Sequence, residues 1–259
     1  MKKRTLWACW AYKLIVSIAV TDLIQLVPIG FSAFLTLTQI SVGMLIMKAV
    51  FLFIINEMWI ESALSLSLAI YRFLDMFGFL RQAVRNRICK ILHNISWFCG
   101  IPSSICFLWT GVPVEHTPMG LYNNNFPNQT VYFVVWTSAI GTQMVVAFVL
   151  YGLIIASVIA KRHKATATEY RALLQAFLPF LWTATKPSAF LTYGPMTDLF
   201  GEVPANAIFH FFMRSSPLVH VAVYLILNKT IAAEMVTFTW FATLRRRRNN
   251  NRLFFITHC

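Results

Sequence analysis

The stretch VYFVVWTSAIGTQMVVAFVLYGLIIASVIA, residues 131–160, carries no charged side chain and is closed by Lys161-Arg162-His163-Lys164. About 20 consecutive apolar residues are enough for a helix to cross the hydrocarbon core of a bilayer. In lipid the backbone must satisfy its own hydrogen bonds, so such a run is expected to be helical. A membrane β-barrel would need alternating segments of about ten residues. This stretch neither alternates nor stops at ten.

Five further runs of the same kind lie on either side, near residues 11–34, 48–73, 91–112, 170–193 and 205–227. Pro102 is expected to kink the third span rather than end it, and Pro179 and Pro187 fall inside the fifth. Residues 35–47 hold no charge, so the first turn is placed near Thr36 to Gly43, where Thr, Gln, Ser and Gly cluster. Residues 74–90 form a polar, basic connection. Residues 113–130, rich in Pro, Asn and Thr, and residues 194–204, with Asp198 and Glu202, are expected to be loops. The expectation is an all-α polytopic transmembrane helix bundle of about six spans over residues 1–230. A cytoplasmic basic tail, 231–259, follows. There is no internal repeat and no soluble domain.

Composition agrees. Of 259 residues 58% are hydrophobic and only 12% charged, and mean hydropathy is +0.64. Soluble domains carry about 25% charged residues, so this chain is too poor in charge to cover a water-soluble globule. Its net charge of +13 would suit a nucleic-acid binder, but the bases cluster beside apolar runs, where they face anionic lipid headgroups. The expected partner is the bilayer, with no nucleic acid. The basic start Met1-Lys2-Lys3-Arg4 resembles a signal peptide, but the apolar run extends to Phe34 and contains Lys13 and Asp22. A retained first helix is the better fit.

Lys and Arg alternate strictly along the connections: three at the N-terminus, none in 35–47, four in 74–90, none in 113–130, four in 161–171, none in 194–204 and six from residue 229 onward. The positive-inside rule therefore places both termini in the cytoplasm and makes the protein multi-pass. Asn128-Gln129-Thr130 is a glycosylation sequon in an expected outside loop. The cysteines, Cys9, Cys89, Cys99, Cys106 and Cys259, lie outside those loops and form no metal-binding spacing, so no disulfide framework, metal or cofactor is expected.

Ionisable residues inside spans are costly and so mark candidate sites. Asp22 sits mid-span in the first run. Glu57 and Glu61, four apart, share one face of the second. Lys186 lies in the fifth run, and Arg214 and His220 in the sixth. Glu57 or Glu61 is expected to pair with Lys186 or Arg214 in the bundle interior. Lys13 and Lys48 are expected to snorkel. No phosphate loop, HExxH or GxSxG occurs, and His93, His163, His210 and His220 stand alone, so no enzyme activity is expected. Trp7, Trp10, Trp109 and Trp240 fall near interfaces. Trp59, Trp182 and Phe209 to Phe212 suit either helix packing or a pocket for an apolar ligand.

Three stretches resemble one family. Ala11-Tyr12-Lys13-Leu14-Ile15 leading to Thr21-Asp22-Leu23 resembles the second helix of nematode serpentine chemoreceptors, especially class T. Ser67-Leu68-Ala69-Ile70-Tyr71-Arg72-Phe73-Leu74-Asp75 resembles the foot of their third helix. Tyr224-Leu225-Ile226-Leu227-Asn228-Lys229-Thr230-Ile231 resembles the end of their last. The resemblance implies a rhodopsin-like receptor fold missing helix one, a small-molecule ligand and a heterotrimeric G protein as partner. It places the activation switch at Asp22, Arg72 and Tyr224, while the intramembrane charges Glu57, Glu61, Lys186 and Arg214, with Trp182, are the candidate ligand pocket. The chain departs from the family pattern in lacking an outer-loop cysteine and an Asn-Pro-x-x-Tyr motif, since Pro217 lies seven residues before Tyr224. Two rivals stay open: a small six-helix transporter or channel-like protein using Asp22, Glu57, Glu61 and Lys186, and a non-signalling receptor fragment. After Leu227, Met235, Phe238, Phe241 and Leu244 recur at helical spacing, which fits either a helix on the inner leaflet or a disordered basic tail.

Overall fold

The structure is a computed structural model that describes residues 10–38, 40, 42–109, 115–116, 122–123, 129–160 and 167–227. Asn128, most of the 113–130 connection, Lys161 to Lys164 and the whole tail lie outside the described residues. Eight helices are described: α1 (Trp10–Thr38), α2 (Met44–Phe77), α3 (Gln82–Phe98), α4 (Gly100–Trp109), α5 (Gln129–Ala160), α6 (Ala167–Phe200), α7 (Glu202–Arg214) and α8 (Ser216–Leu227). The exception to helix is a ribbon of two residues per strand, β1 (Glu115–His116) antiparallel to β2 (Tyr122–Asn123).

Three helical stretches are long and apolar enough to cross a membrane: Trp10–Leu35, Leu45–Phe77 and Thr137–Ala160. A fourth is added if α7 and α8, bent by 46° at Ser215, count as one span. Their surfaces agree with lipid as solvent. Large apolar side chains such as Val27, Leu37, Val145 and Leu218 stand exposed, whereas polar ones are drawn inward, the reverse of a soluble protein. Hydroxyls within the helices satisfy themselves on the preceding turn, as when Thr21 donates to the Ser17 carbonyl at 2.9 Å and Thr142 to the Ser138 carbonyl at 2.7 Å. In an apolar medium no water is there to do so.

Helix α2 is the hub and packs against α1, α3, α4, α5 and α6; α6 packs on α7 and α8, and α8 closes against α1. Leu14, Ile18, Leu64, Leu68, Ile140, Tyr151 and Phe180 form the buried core. Side-chain bonds cross between helices at Ser62–Gln143 (2.6 Å), Ser67–Ser96 (3.1 Å) and Asn56–Ser104 (2.6 Å). Small and hydroxyl side chains of this sort hold helices together where no hydrophobic force acts between them.

Several boundaries differ from the sequence expectation, and proline and glycine explain them. The third span is not one kinked helix but two, broken at Cys99. Pro102 has no N–H to give the Phe98 carbonyl four residues back, so the chain opens there rather than at the proline itself. The sixth run likewise splits at Ser215, because Pro217 leaves the Met213 carbonyl without its intrahelical donor. Gln25 of α1 supplies one, its Nε2 donating to Met213 O at 3.4 Å. The expected 194–204 loop is mostly helix: α6 absorbs Pro195 and runs to Phe200, and Gly201 alone makes the turn. Its φ of +82° is one that L side chains rarely adopt. The basic 74–90 connection is also mainly helical. Gly78, at φ +64°, caps α2 by donating to the Leu74 carbonyl at 3.2 Å, and α3 begins at Gln82.

Candidate functional site

Four helices bring ionisable side chains to one buried point. Asp22 comes from α1, Glu57 and Glu61 from successive turns of α2, Lys186 from α6 and His220 from α8. Glu61 and Lys186 are 0% and 1% exposed, and Asp22, Glu57 and His220 are equally buried. The Lys186 ammonium bonds Glu61 Oε2 and lies 3.5 Å from Glu57 Oε1. Thr183, one turn before Lys186, donates to Glu61 Oε1 at 2.7 Å, and Ser216 donates to the same oxygen at 3.1 Å. Glu61 is therefore satisfied on both oxygens from two other helices.

His220 forms the second half. Its Nδ1 lies 2.9 Å from Asp22 Oδ2 and 3.1 Å from Oδ1. Its Nε2 lies 3.2 Å from Thr183 Oγ1, 3.4 Å from the Pro179 carbonyl and 3.7 Å from Glu61 Oε1. Nδ1 donates to the Asp22 carboxylate, and Nε2 lies among the oxygens of Thr183, Pro179 and Glu61. Pro187 sharpens the site: it cannot bond the Thr183 carbonyl, which loosens α6 beside Thr183 and Lys186.

Three carboxyl groups thus meet one ammonium and one imidazole, and Glu57 is the least satisfied of the three, since neither of its oxygens has a hydrogen-bond partner. Asp22, Glu61 and His220 also offer one donor atom each within 4.8 Å of one another, a spacing a metal ion could bridge. In this structure Lys186 engages Glu61 Oε2 and His220 Nδ1 engages Asp22.

A second polar group lies toward the Arg72 end of α2. Arg72 is within electrostatic reach of Tyr151 on α5 and Tyr224 on α8. Arg72 Nε and both tyrosine hydroxyls are buried without a hydrogen-bond partner. Asp75, three residues on, pairs instead with Arg85 of α3 at 2.9 Å.

Of the residues singled out from sequence, Asp22, Glu57, Glu61 and Lys186 meet at the cluster. Arg214 does not join it; its Nη2 reaches Ser32 of α1 at 3.4 Å. Trp182 also sits apart, its Nε1 donating to Ser215 at 3.1 Å and its ring packing on Phe211 and Phe212. Sequence reasoning missed Thr183, Ser216 and Tyr151 and found no partner for His220. Nothing local to the sixth run hints that the partner of His220 lies 198 residues earlier. Compared with family models and with curated proteins, the sequence matches none.

Proposed function

We propose that the chain is a multi-pass membrane receptor of serpentine type, with six spans and cytoplasmic termini. A small ligand entering from the outer side would bias the buried ionic cluster, and the Arg72 end would then engage a heterotrimeric G protein. The observation that carries this reading is the cluster itself. Asp22, His220, Glu61 and Lys186 tie α1, α2, α6 and α8 together by ionic contacts, while prolines 187 and 217 weaken α6 and split α7 from α8 beside it. Interior charges with exchangeable partners at loosened helices make a two-state element, whose equilibrium a ligand shifts by binding one state better. Arg72, poised near Tyr151 and Tyr224, is the corresponding element at the other end. The alternation of basic connections supports the six spans and their orientation.

The test is expression with a panel of G-protein sensors, challenged with small odorant and polar compounds. Compound-dependent coupling that Arg72→Ala abolishes, with compound binding retained, supports the proposal. A chain that couples to nothing, yet carries a cation current removed by Glu61→Gln, refutes it in favour of transport. One observation favours that second reading: the cluster holds three buried carboxyl groups, Asp22, Glu57 and Glu61, and two basic side chains, Lys186 and His220.

A further inference from the structure

Helix α3 has two unlike faces. Cys89 and Ser96 are buried, and Arg85, Leu92 and His93 half-buried, against α1 and α2. The opposite face is open. Ile91, Ile95 and Phe98, spaced to lie in one line, are 51%, 57% and 64% exposed. At the N-terminal end of that line stand Arg87 and Lys90, both exposed. Arg85 is neutralised by Asp75, but among the described residues no acid pairs with the other two. An exposed apolar stripe thus runs about 12 Å from Lys90 to Phe98 and ends at two uncompensated positive charges.

We infer that this face of α3 is a binding site for an anionic phospholipid of the cytoplasmic leaflet. Its headgroup would sit between Arg87 and Lys90, and an acyl chain would lie along Ile91, Ile95 and Phe98. The complement of a basic cluster joined to an apolar strip is a molecule with an anionic head and an apolar tail. Bases near a membrane surface attract such headgroups, each by about fivefold in affinity. The register matters: on the helix surface Arg87 lies directly below Ile91, and Ile91 below Ile95, so one lipid meets both halves. The site rests on the membrane reading of the chain and is independent of whether it signals.

The test uses the purified full chain in detergent, titrated with phosphatidylserine or phosphatidylcholine and read by native mass spectrometry. Phosphatidylserine should bind preferentially. The double variant Arg87→Gln, Lys90→Gln should lose about twenty-five-fold in affinity, at about fivefold per base. Arg171→Gln, which removes an exposed base on α6, should change nothing. Ile91→Ala with Ile95→Ala should weaken binding of both lipids and leave the preference intact. Soluble glycerophosphoserine should fail to compete. All these substitutions lie on exposed positions, and a wild-type elution profile confirms each fold. The site is overturned if the double variant binds as wild type does. It is equally overturned if Arg171→Gln costs as much, since the attraction is then diffuse, or if the soluble headgroup competes as well as the lipid. A chain that never inserts into membranes fails the membrane reading instead, which separates the two failures.

Discussion

Replacing Lys186 by methionine keeps most of the side-chain volume and removes the one ammonium shared by Glu57 and Glu61. Both carboxylates are buried, and Lys186 is 1% exposed, so water cannot take its place. Breaking a buried pair by removing one partner costs about 3–5 kcal/mol, because an uncompensated charge stays behind. Here Glu61 keeps its bonds from Thr183 and Ser216, which limits its share of the loss, whereas Glu57 is left with no close cation. We expect about 4 kcal/mol, a large part of the roughly 5–15 kcal/mol that holds a typical domain. The assay is thermal unfolding of the purified protein in detergent, followed by size-exclusion fluorescence. The decisive comparison is a cycle with Glu61→Gln. If Lys186 and Glu61 are partners, the double variant recovers about 2 kcal/mol or more relative to the sum of the single losses. A Lys186→Met protein as stable as wild type, or strict additivity with Glu61→Gln, refutes the paired geometry.

Glu57→Gln should be far milder, within about 1 kcal/mol of wild type, since neither Glu57 oxygen accepts a hydrogen bond; the same unfolding assay checks it. Gly100→Ala should cost about 1–3 kcal/mol by overpacking, because a Cβ there would meet Asn56 Oδ1 at 2.7 Å and disturb its bond to Ser104. Asn56→Ala should relieve the strain of Gly100→Ala, and unfolding midpoints of the single and double variants would show whether it does. Cys89 lies below the expected span, where burial pushes its thiol up to about 11. The reactive thiolate is scarce below that pH and grows as pH rises through it, so maleimide labelling of folded protein at neutral pH should miss Cys89 and appear on unfolding. If the outside loops are assigned correctly, Asn128 carries glycan in cells that glycosylate, and glycosidase treatment shifts the band; a shift that survives Asn128→Gln would move the glycan elsewhere.

The helical runs and the charged members of the site were legible because each is a local signal. Lys186, Glu61 and Asp22 stand out as ions in apolar surroundings, and lipid makes such placement costly enough to mean something. Thr183 and Ser216 were not legible, because hydroxyls are common in membrane helices and usually bond their own preceding turn, as Thr21 does. Only the packing of α6 on α2, and of α8 on α6 and α1, reveals that these two reach Glu61. Helix ends were misjudged where a proline acts at a distance. Its missing N–H is felt four residues earlier, at Phe98 and Met213, so the break lies upstream of the residue that announces it. The 194–204 stretch misled in the opposite sense, since Gly194, Pro195 and two acids look like a loop while the turn needs only Gly201.

The bond between Asp22 and His220 joins residues 198 positions apart, which bears on how the protein is made. A ribosome adding about 5–20 residues per second needs about 10–40 seconds between these two residues. Throughout that interval α1 has left the ribosome with an aspartate meant for an interior that does not yet exist. The nascent chain must shelter it at the insertion machinery or against α2 until α8 arrives. Any interruption of synthesis before Ser216 would strand Asp22 without its imidazole and Glu61 without one of its hydroxyls, leaving a product that membrane quality control has a chemical reason to reject.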